Sequence, residues 1–204
     1  RYGGPEVLEF SDVPTPEPGA GEVRVKVMAT SVTSGDSRLR AARFPAGMAM
    51  LARPFLGFRG PRQPILGTEI AGIVDAVGAG VTRYRAGDTV MAFPGGKMGC
   101  HAEYRCVLEN GPIARKRAGL SFADAATLCF GGCTALHFLD VAAVLPDDRI
   151  LVVGASGAVG SALVQLARHR GAHVTGVCSA RNADLVRELG AAAVSDRSCW
   201  CCRG

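Results

Sequence analysis

The stretch from Arg149 to Gly171, RILVVGASGAVGSALVQLARHRG, constrains this chain more than any other. It begins with a short apolar strand, Arg149 to Val153, turns at Gly154-Ala155-Ser156-Gly157-Ala158-Val159-Gly160, and runs on as a helix from Ala158 to Arg170. Gly171 then supplies a typical C-cap residue. Ile150 to Ala167 is 18 residues without a charge, near the lower limit for a membrane-spanning helix. Three glycines in its middle, with Ser156, Ser161 and Gln165, favour strand, turn and helix instead. The rhythm repeats downstream: His173 to Cys178 is a second strand, Asn182 to Leu189 a second helix closed by Gly190, and Ala192 to Val194 starts a third strand. Strands alternating with helices build a parallel, doubly wound sheet.

The sequence before residue 121 has a different character. Glu22 to Val27 alternates polar and apolar residues, the period of a half-buried strand. Ile70 to Val77, Asp88 to Phe93 and residues 101–108 are further strands, punctuated by turn-rich segments such as PTPEPGAGE (14–22) and FPGG (93–96). Many short strands with turn signals indicate a compact barrel-like or sandwich fold. Ser121 with Asp124 is a capping-box variant opening an alanine-rich helix, and residues 133–144 are expected to form a second helix stopped at Pro146. The chain is therefore expected to be α/β overall, with a β-rich domain over 1–124 and a nucleotide-binding domain over 125–204.

A glycine turn between a strand and a helix is a phosphate-binding position. The full glycine pattern would have glycine at 155, 157 and 160, and here the first is alanine. Gly157 lets the backbone approach a pyrophosphate, and Gly160 lets the helix lie close to the sheet. The helix N-terminus offers free N–H donors and partial positive charge. The alternative is a plain glycine turn. An NAD site places Asp or Glu at the end of the second strand to bind the ribose 2′-hydroxyl. Residues 174–182 read VTGVCSARN and contain no acid. Ser179, Arg181 and Asn182 suit a 2′-phosphate instead, since Arg meets a phosphate through a bidentate contact. NADP(H) is thus the expected cofactor; the other reading is a polar loop with an exposed Arg.

DDRILVVGASGAVGSALVQLAR (147–168) resembles the quinone oxidoreductase/zeta-crystallin branch of the medium-chain dehydrogenase/reductase superfamily. YGGPEVLEF (2–10), GTEIAGIVDAVGAGVTRYRAGD (67–88), HAEY (101–104) and GGCTALHFL (131–139) carry the same resemblance, which covers the chain to about Val194. It implies an N-terminal GroES-like catalytic domain, a Rossmann NADP-binding domain and a cleft between them. It also implies hydride transfer from NADPH to a quinone or an activated enone. By the same resemblance Thr134 would lie near the cofactor, and relatives of full length are expected to be homodimers. The alternative function is that of a non-catalytic NADPH-binding or structural relative. Oxidation of NADPH by a conjugated acceptor, as against binding alone, separates the two.

A zinc-type alcohol dehydrogenase is a third alternative, and ligand counting opposes it. Thr68 stands where such enzymes of the superfamily have histidine, and residues 31–36, SVTSGD, contain no cysteine. No metal site is expected; Cys129 and Cys133, one helical turn apart, are expected in a core. Relatives carry Asn where Thr33 lies, and many carry Tyr in the loop that follows, yet residues 37–66 contain no Tyr. Thr33 and Asp36 are the catalytic candidates, each equally readable as a loop cap. Tyr104 and His101 are expected to be structural.

The chain carries 23 Lys and Arg against 18 Asp and Glu, a formal charge of +5. The basic residues are nearly all Arg and mostly scattered, which resembles codon bias more than the clustered footprint of a nucleic-acid binder; no nucleic-acid partner is expected. One segment differs. Between Asp36 and Glu69 there is no acid but six Arg, at 38, 40, 43, 53, 59 and 62, with apolar residues interleaved at 48–58. This segment reads as a basic lid drawing in an anion, a membrane-surface segment or a solvated loop, and no membrane contact is expected overall. Eight cysteines without a regular framework, and no visible secretory signal, point to thiols in a reducing cytoplasm. From about residue 195 the sequence, ending SDRSCWCCRG, departs from the family. It is expected to be an aberrant tail on a C-terminally truncated domain with little or no turnover.

Overall fold

The computed structural model describes residues 2–43, 57 and 60–198. Two compact units divide at Thr127/Leu128.

The first unit is built on a five-stranded antiparallel sheet in the order β4-β1-β2-β3-β5. The strands are β1 (Glu22–Thr30), β2 (Ile70–Val77), β3 (Thr89–Ala92), β4 (Tyr104–Leu108) and β5 (Ile113–Arg115). Alternation along β1 sends Val23 and Val25 inward, where both are fully buried. They meet Ile70, Val74, Tyr84, Val90, Cys100, Val107 and Ile113 in one core. Each such aliphatic side chain contributes about 1.5–3 kcal/mol on burial. Register shifts interrupt the β1–β2 ladder at Arg24/Val25 and Val27/Ala29. Gly72 lies at the second shift, where a Cβ would collide with Lys26 O.

Two parts of this unit differ from the sequence expectation. Strand β5 follows Pro112 and is only three residues long, too short to show a period. A helix, α1 (Ser34–Arg40), occupies the start of the segment expected to be loop. Its capping box overrides the poor helix propensity of Ser34-Gly35. It also places Arg38 and Arg40 in the last turn, where positive charge favours the helix dipole. Of the Arg-rich segment, Arg53, Arg59 and nearly all of 48–58 lie outside the described residues.

The structure also differs from the sequence expectation at the unit boundary. Helix α2 (Phe122–Val141) is one continuous helix of 20 residues rather than two. The Gly131-Gly132 pair is not a break. A Cβ at Gly131 would sit 2.8 Å from Ala158 O, so this glycine permits a close approach to the next helix. The Ser121 cap is present: Asp124 N donates to Ser121 Oγ at 3.0 Å.

The second unit carries a parallel sheet in the order β6-β7-β8. Its elements are β6 (Arg149–Val153), α3 (Ala158–His169), β7 (His173–Cys178), α4 (Ala183–Glu188) and β8 (Ala193–Asp196). Residues 150–167 are thus strand, turn and helix, not a span. A short 3-10 helix, Ala180–Asn182, precedes α4 and takes the place of its expected first residue. Strand β8 runs through Ser195 and Asp196, with Asp196 paired to Cys178. The departure placed at about 195 therefore begins inside a regular strand, because β8 is held by backbone bonds that any side chain allows. Residues 199–204 lie outside the described ones. Leu139, Val152, Val164, Val174 and Val186 form the centre of this unit's core.

Candidate functional site

The turn after β6 is fixed by backbone bonds. Gly154 N and Ala155 N both donate to Val177 O, at 2.9 and 3.0 Å, which ties the turn to the end of β7. Gly154 adopts φ +78°, a left-handed conformation that glycine takes without strain. Gly157 N closes the turn on Gly154 O at 2.9 Å, and Gly157 is the N-cap of α3 without a side-chain cap. Ser161 N is the first helical amide to bond back, to Gly157 O at 2.8 Å. The N–H groups of Ala158, Val159 and Gly160 therefore open the helix without intrahelical partners. Gly160 is buried, and a Cβ there would collide with Gly154 O and lie 2.8 Å from Ala155 Cα. Only glycine lets the helix start this close to the turn. Ala155, in place of the first glycine of the pattern, is fully buried against the core.

The other residues expected here gather at the same carboxyl edge of the sheet. Asn182 Nδ2 donates to Ser156 Oγ at 3.0 Å, joining the loop after β7 to the glycine turn. Ser179 is half-buried and caps the 3-10 helix by position, with its carbonyl accepting from Asn182 N at 2.9 Å. Arg181 is exposed and has no partner among the described residues. Thr134 is half-buried on α2, one turn beyond Gly131 and so on the side of α2 that approaches Ala158. Val159 is half-buried on the first turn of α3.

Thr33 and Asp36 lie in the first unit and bond to each other. Thr33 is the N-cap of α1, with its hydroxyl donating to Asp36 Oδ2 at 2.7 Å and accepting from Asp36 N at 3.2 Å. Thr33 N donates to the same carboxylate oxygen at 2.8 Å. The other oxygen, Asp36 Oδ1, accepts from Gly67 N at 3.0 Å. Asp36 is 2% exposed; its bonds with Thr33 close the capping box of α1, and its bond with Gly67 N ties that cap to the segment leading into β2.

Nearby is a polar group that sequence reasoning did not assemble. Glu69 is buried and accepts from the Ser31 hydroxyl, while Thr30 Oγ1 donates to Glu69 O at 2.8 Å. His101 Nε2 donates to Ser31 O at 2.9 Å. The one available signal was the position of Glu69 directly before the apolar run of β2. Cys129 is buried as expected of a core residue, but Cys133, one turn further along the same face of α2, is exposed rather than in a core.

Comparison with known proteins agrees with this architecture. Residues 19–135 match the alcohol dehydrogenase GroES-like domain family. The chain is 38% identical over 204 residues to the chloroplast envelope quinone oxidoreductase homolog of Arabidopsis thaliana, aligning 95% of this chain and 58% of that protein. The solved quinone oxidoreductase from Coxiella burnetii superposes with a TM-score of 0.83 at 32% identity, over 96% of this chain and 59% of that one. A mycobacterial protein, Rv1454c, solved in complex with NADPH, superposes with a TM-score of 0.80 at 30% identity, over 96% of this chain and 56% of that one. The chain thus spans somewhat under three fifths of the length of these relatives.

Proposed function

Because the chain belongs to the alcohol dehydrogenase GroES-like domain family, in its zinc-independent, quinone oxidoreductase-like medium-chain dehydrogenase/reductase branch, we propose that its second unit holds a pyridine dinucleotide, NADP(H) in preference to NAD(H). It would serve an oxidoreductase that passes hydride to a quinone or an activated enone. The observation that carries this reading is the hydrogen bond from Asn182 Nδ2 to Ser156 Oγ. It joins the two loops that a dinucleotide must bridge, the glycine turn for the pyrophosphate and the loop after β7 for the adenosine ribose.

The residues present fit such a group. The free amides of Ala158, Val159 and Gly160 face an anion at the positive end of α3. Gly157 and Gly160 keep side-chain atoms away from that spot. Because Ser156 Oγ accepts from Asn182, its own proton is left to donate to a phosphate oxygen. Ser179 and Arg181 offer a hydroxyl and an unpaired guanidinium where an NAD site would offer a carboxylate, which favours the 2′-phosphate. When bound, NADPH supplies the hydride. The relative solved with NADPH supports the same cofactor class.

Thr33 and Asp36 are proposed to shape the first unit rather than to move a proton, since each of their polar groups holds α1 or Gly67. The five described cysteines, Cys100, Cys106, Cys129, Cys133 and Cys178, are free thiols, which favours a reducing compartment such as the cytoplasm.

Titration of the 204-residue chain with NADPH and NADH tests the reading. NADPH is expected to bind the tighter, and Arg181→Ala to weaken it about tenfold while leaving NADH unchanged. Equal affinity for the two nucleotides in the unaltered chain would overturn the NADP preference. Added quinone or enone should then accelerate NADPH oxidation; binding without acceptor-dependent oxidation would favour a nucleotide-binding role instead.

A further inference from the structure

The first unit gathers polar side chains at one end of its five-stranded sheet. Thr30 pairs with Ile70 and Lys26 with Tyr104, so the end of β1 lies beside the starts of β2 and β4. Ser31, Glu69 and His101 come from the three segments that leave or enter those strands. They are bonded in sequence: the Ser31 hydroxyl donates to the Glu69 carboxylate, and His101 Nε2 donates to Ser31 O at 2.9 Å.

The second of these bonds decides the form of the imidazole. A carbonyl oxygen only accepts, so the proton of the neutral ring sits on Nε2 and the lone pair on Nδ1. Nδ1 has no hydrogen-bond or ion-pair partner among the described residues. The ring rests against bare backbone, because a Cβ at Gly67 would come within 2.5 Å of His101 Cδ2. Gly67 N donates to Asp36 Oδ1 at 3.0 Å, and His101 N donates to Leu66 O at 2.8 Å. Asp36 and Glu69 are two of the three buried acids among the described residues, and a carboxylate is costly to bury unless it is hydrogen-bonded. Both hold what holds one half-buried ring. Glu69 binds the serine whose carbonyl fixes Nε2, and Asp36 binds the glycine that the ring rests on. An imidazole with a fixed tautomer and one unspent nitrogen is equipped for proton transfer.

We propose that His101 is a catalytic residue of the first unit, presenting Nδ1 to the carbonyl oxygen of the acceptor. The proposal rests on the reading of the chain as a reductase of quinones or enones. NADPH, when bound, supplies the hydride that forms the new C–H bond, and that electron pair displaces the acceptor's π pair onto its carbonyl oxygen. The protonated ring gives its Nδ1 proton to this oxygen: the N–H bond breaks, an O–H bond forms, and the ring returns to its neutral Nε2–H form. The Ser31 carbonyl accepts from Nε2 in both states, so the ring keeps its place through the transfer. Glu69 and Asp36 are positioning residues.

The test uses the 204-residue chain and duroquinone, a fully substituted quinone that does not alkylate thiols. Imidazole 15N NMR reads the ring directly, with His101→Gln assigning its signals among the four histidines. The neutral ring is expected to carry its proton on Nε2, and duroquinone is expected to move the Nδ1 signal more than the Nε2 signal. In NADPH oxidation, His101→Ala should lower kcat about a hundredfold while NADPH affinity stays within about twofold, and added imidazole should restore part of the rate. Thermal melts report whether the variant is folded; the NMR of the unaltered chain stands without it. A proton on Nδ1 of the neutral ring overturns the proposal. So does duroquinone binding, seen in other signals, that leaves the His101 ring unmoved, and so does a loss of rate that imidazole does not restore, which marks a structural role. If the chain binds duroquinone without turnover, the NMR alone decides. If it neither binds duroquinone nor oxidises NADPH with it, the reductase reading fails and the proposal falls with it.

Discussion

Replacing Gly160 with alanine puts a methyl group against Gly154 O and Ala155 Cα, two backbone atoms that cannot rotate aside. Strain of this kind costs about 1–3 kcal/mol, so Gly160→Ala should lower the urea midpoint and weaken NADPH together. Glu109 is a second residue held by backbone. Arg83 N and Thr82 N donate to its Oε2 at 2.9 and 3.0 Å, and these bonds hold its carboxyl below the usual range. The stabilisation is present above the ordinary carboxylate pKa and is lost as pH falls through the depressed one. Glu109→Gln should therefore be less stable than the parent at pH 7, and the gap should narrow toward pH 3 in denaturant titrations; a gap that stays constant would rule this out. Residues of this sort were only partly legible. The glycines of the turn could be placed from sequence because a strand before them and a helix after them leave one conformation. Glu69 and Glu109 could not, because an isolated carboxylate in a sequence gives no sign that backbone or hydroxyl donors will meet it.

Helix α2 holds two adjacent glycines with opposite surroundings. A Cβ at Gly131 would meet Ala158 O at 2.8 Å, while one at Gly132 would meet nothing within 4 Å. Gly132→Ala should stabilise the protein by about 0.5–1 kcal/mol through helix propensity, whereas Gly131→Ala should destabilise it. Thermal melts of the two variants should move in opposite directions. At the start of the same helix, Ser121→Ala removes the side-chain cap on Asp124 N and should cost about 1 kcal/mol. These glycines explain why two helices were expected where one exists: a glycine pair in a sequence reads as a stop, and the close approach that requires Gly131 is a tertiary fact. Strands β2, β6 and β7 have the limits that their apolar runs set. Helix α1 did not show itself, because Ser34-Gly35-Asp36 is turn-like until Asp36 is seen bonding both Thr33 and Gly67.

Across the whole chain, the two units reflect the change of period near residue 121, from alternation to strand and helix, and this is why the fold class could be read early. The loops were the least legible part, since their partners come from other loops. If the second unit holds NADPH, a concentration one hundred times the dissociation constant should stabilise it by about 2.7 kcal/mol. Hydrogen exchange should then show the amides of β6, β7 and α3 slowed. Exchange that NADPH leaves untouched would count against the site. The bond between Asn182 and Ser156 has a further consequence for protein engineering. It anchors the loop after β7 at its far end, and the Val177 carbonyl anchors the turn at the near end, so residues 179–181 form a short exchangeable cassette. Grafting an acidic residue at position 179 should convert the edge to the unphosphorylated coenzyme, while the turn keeps its hold on the diphosphate that both coenzymes share.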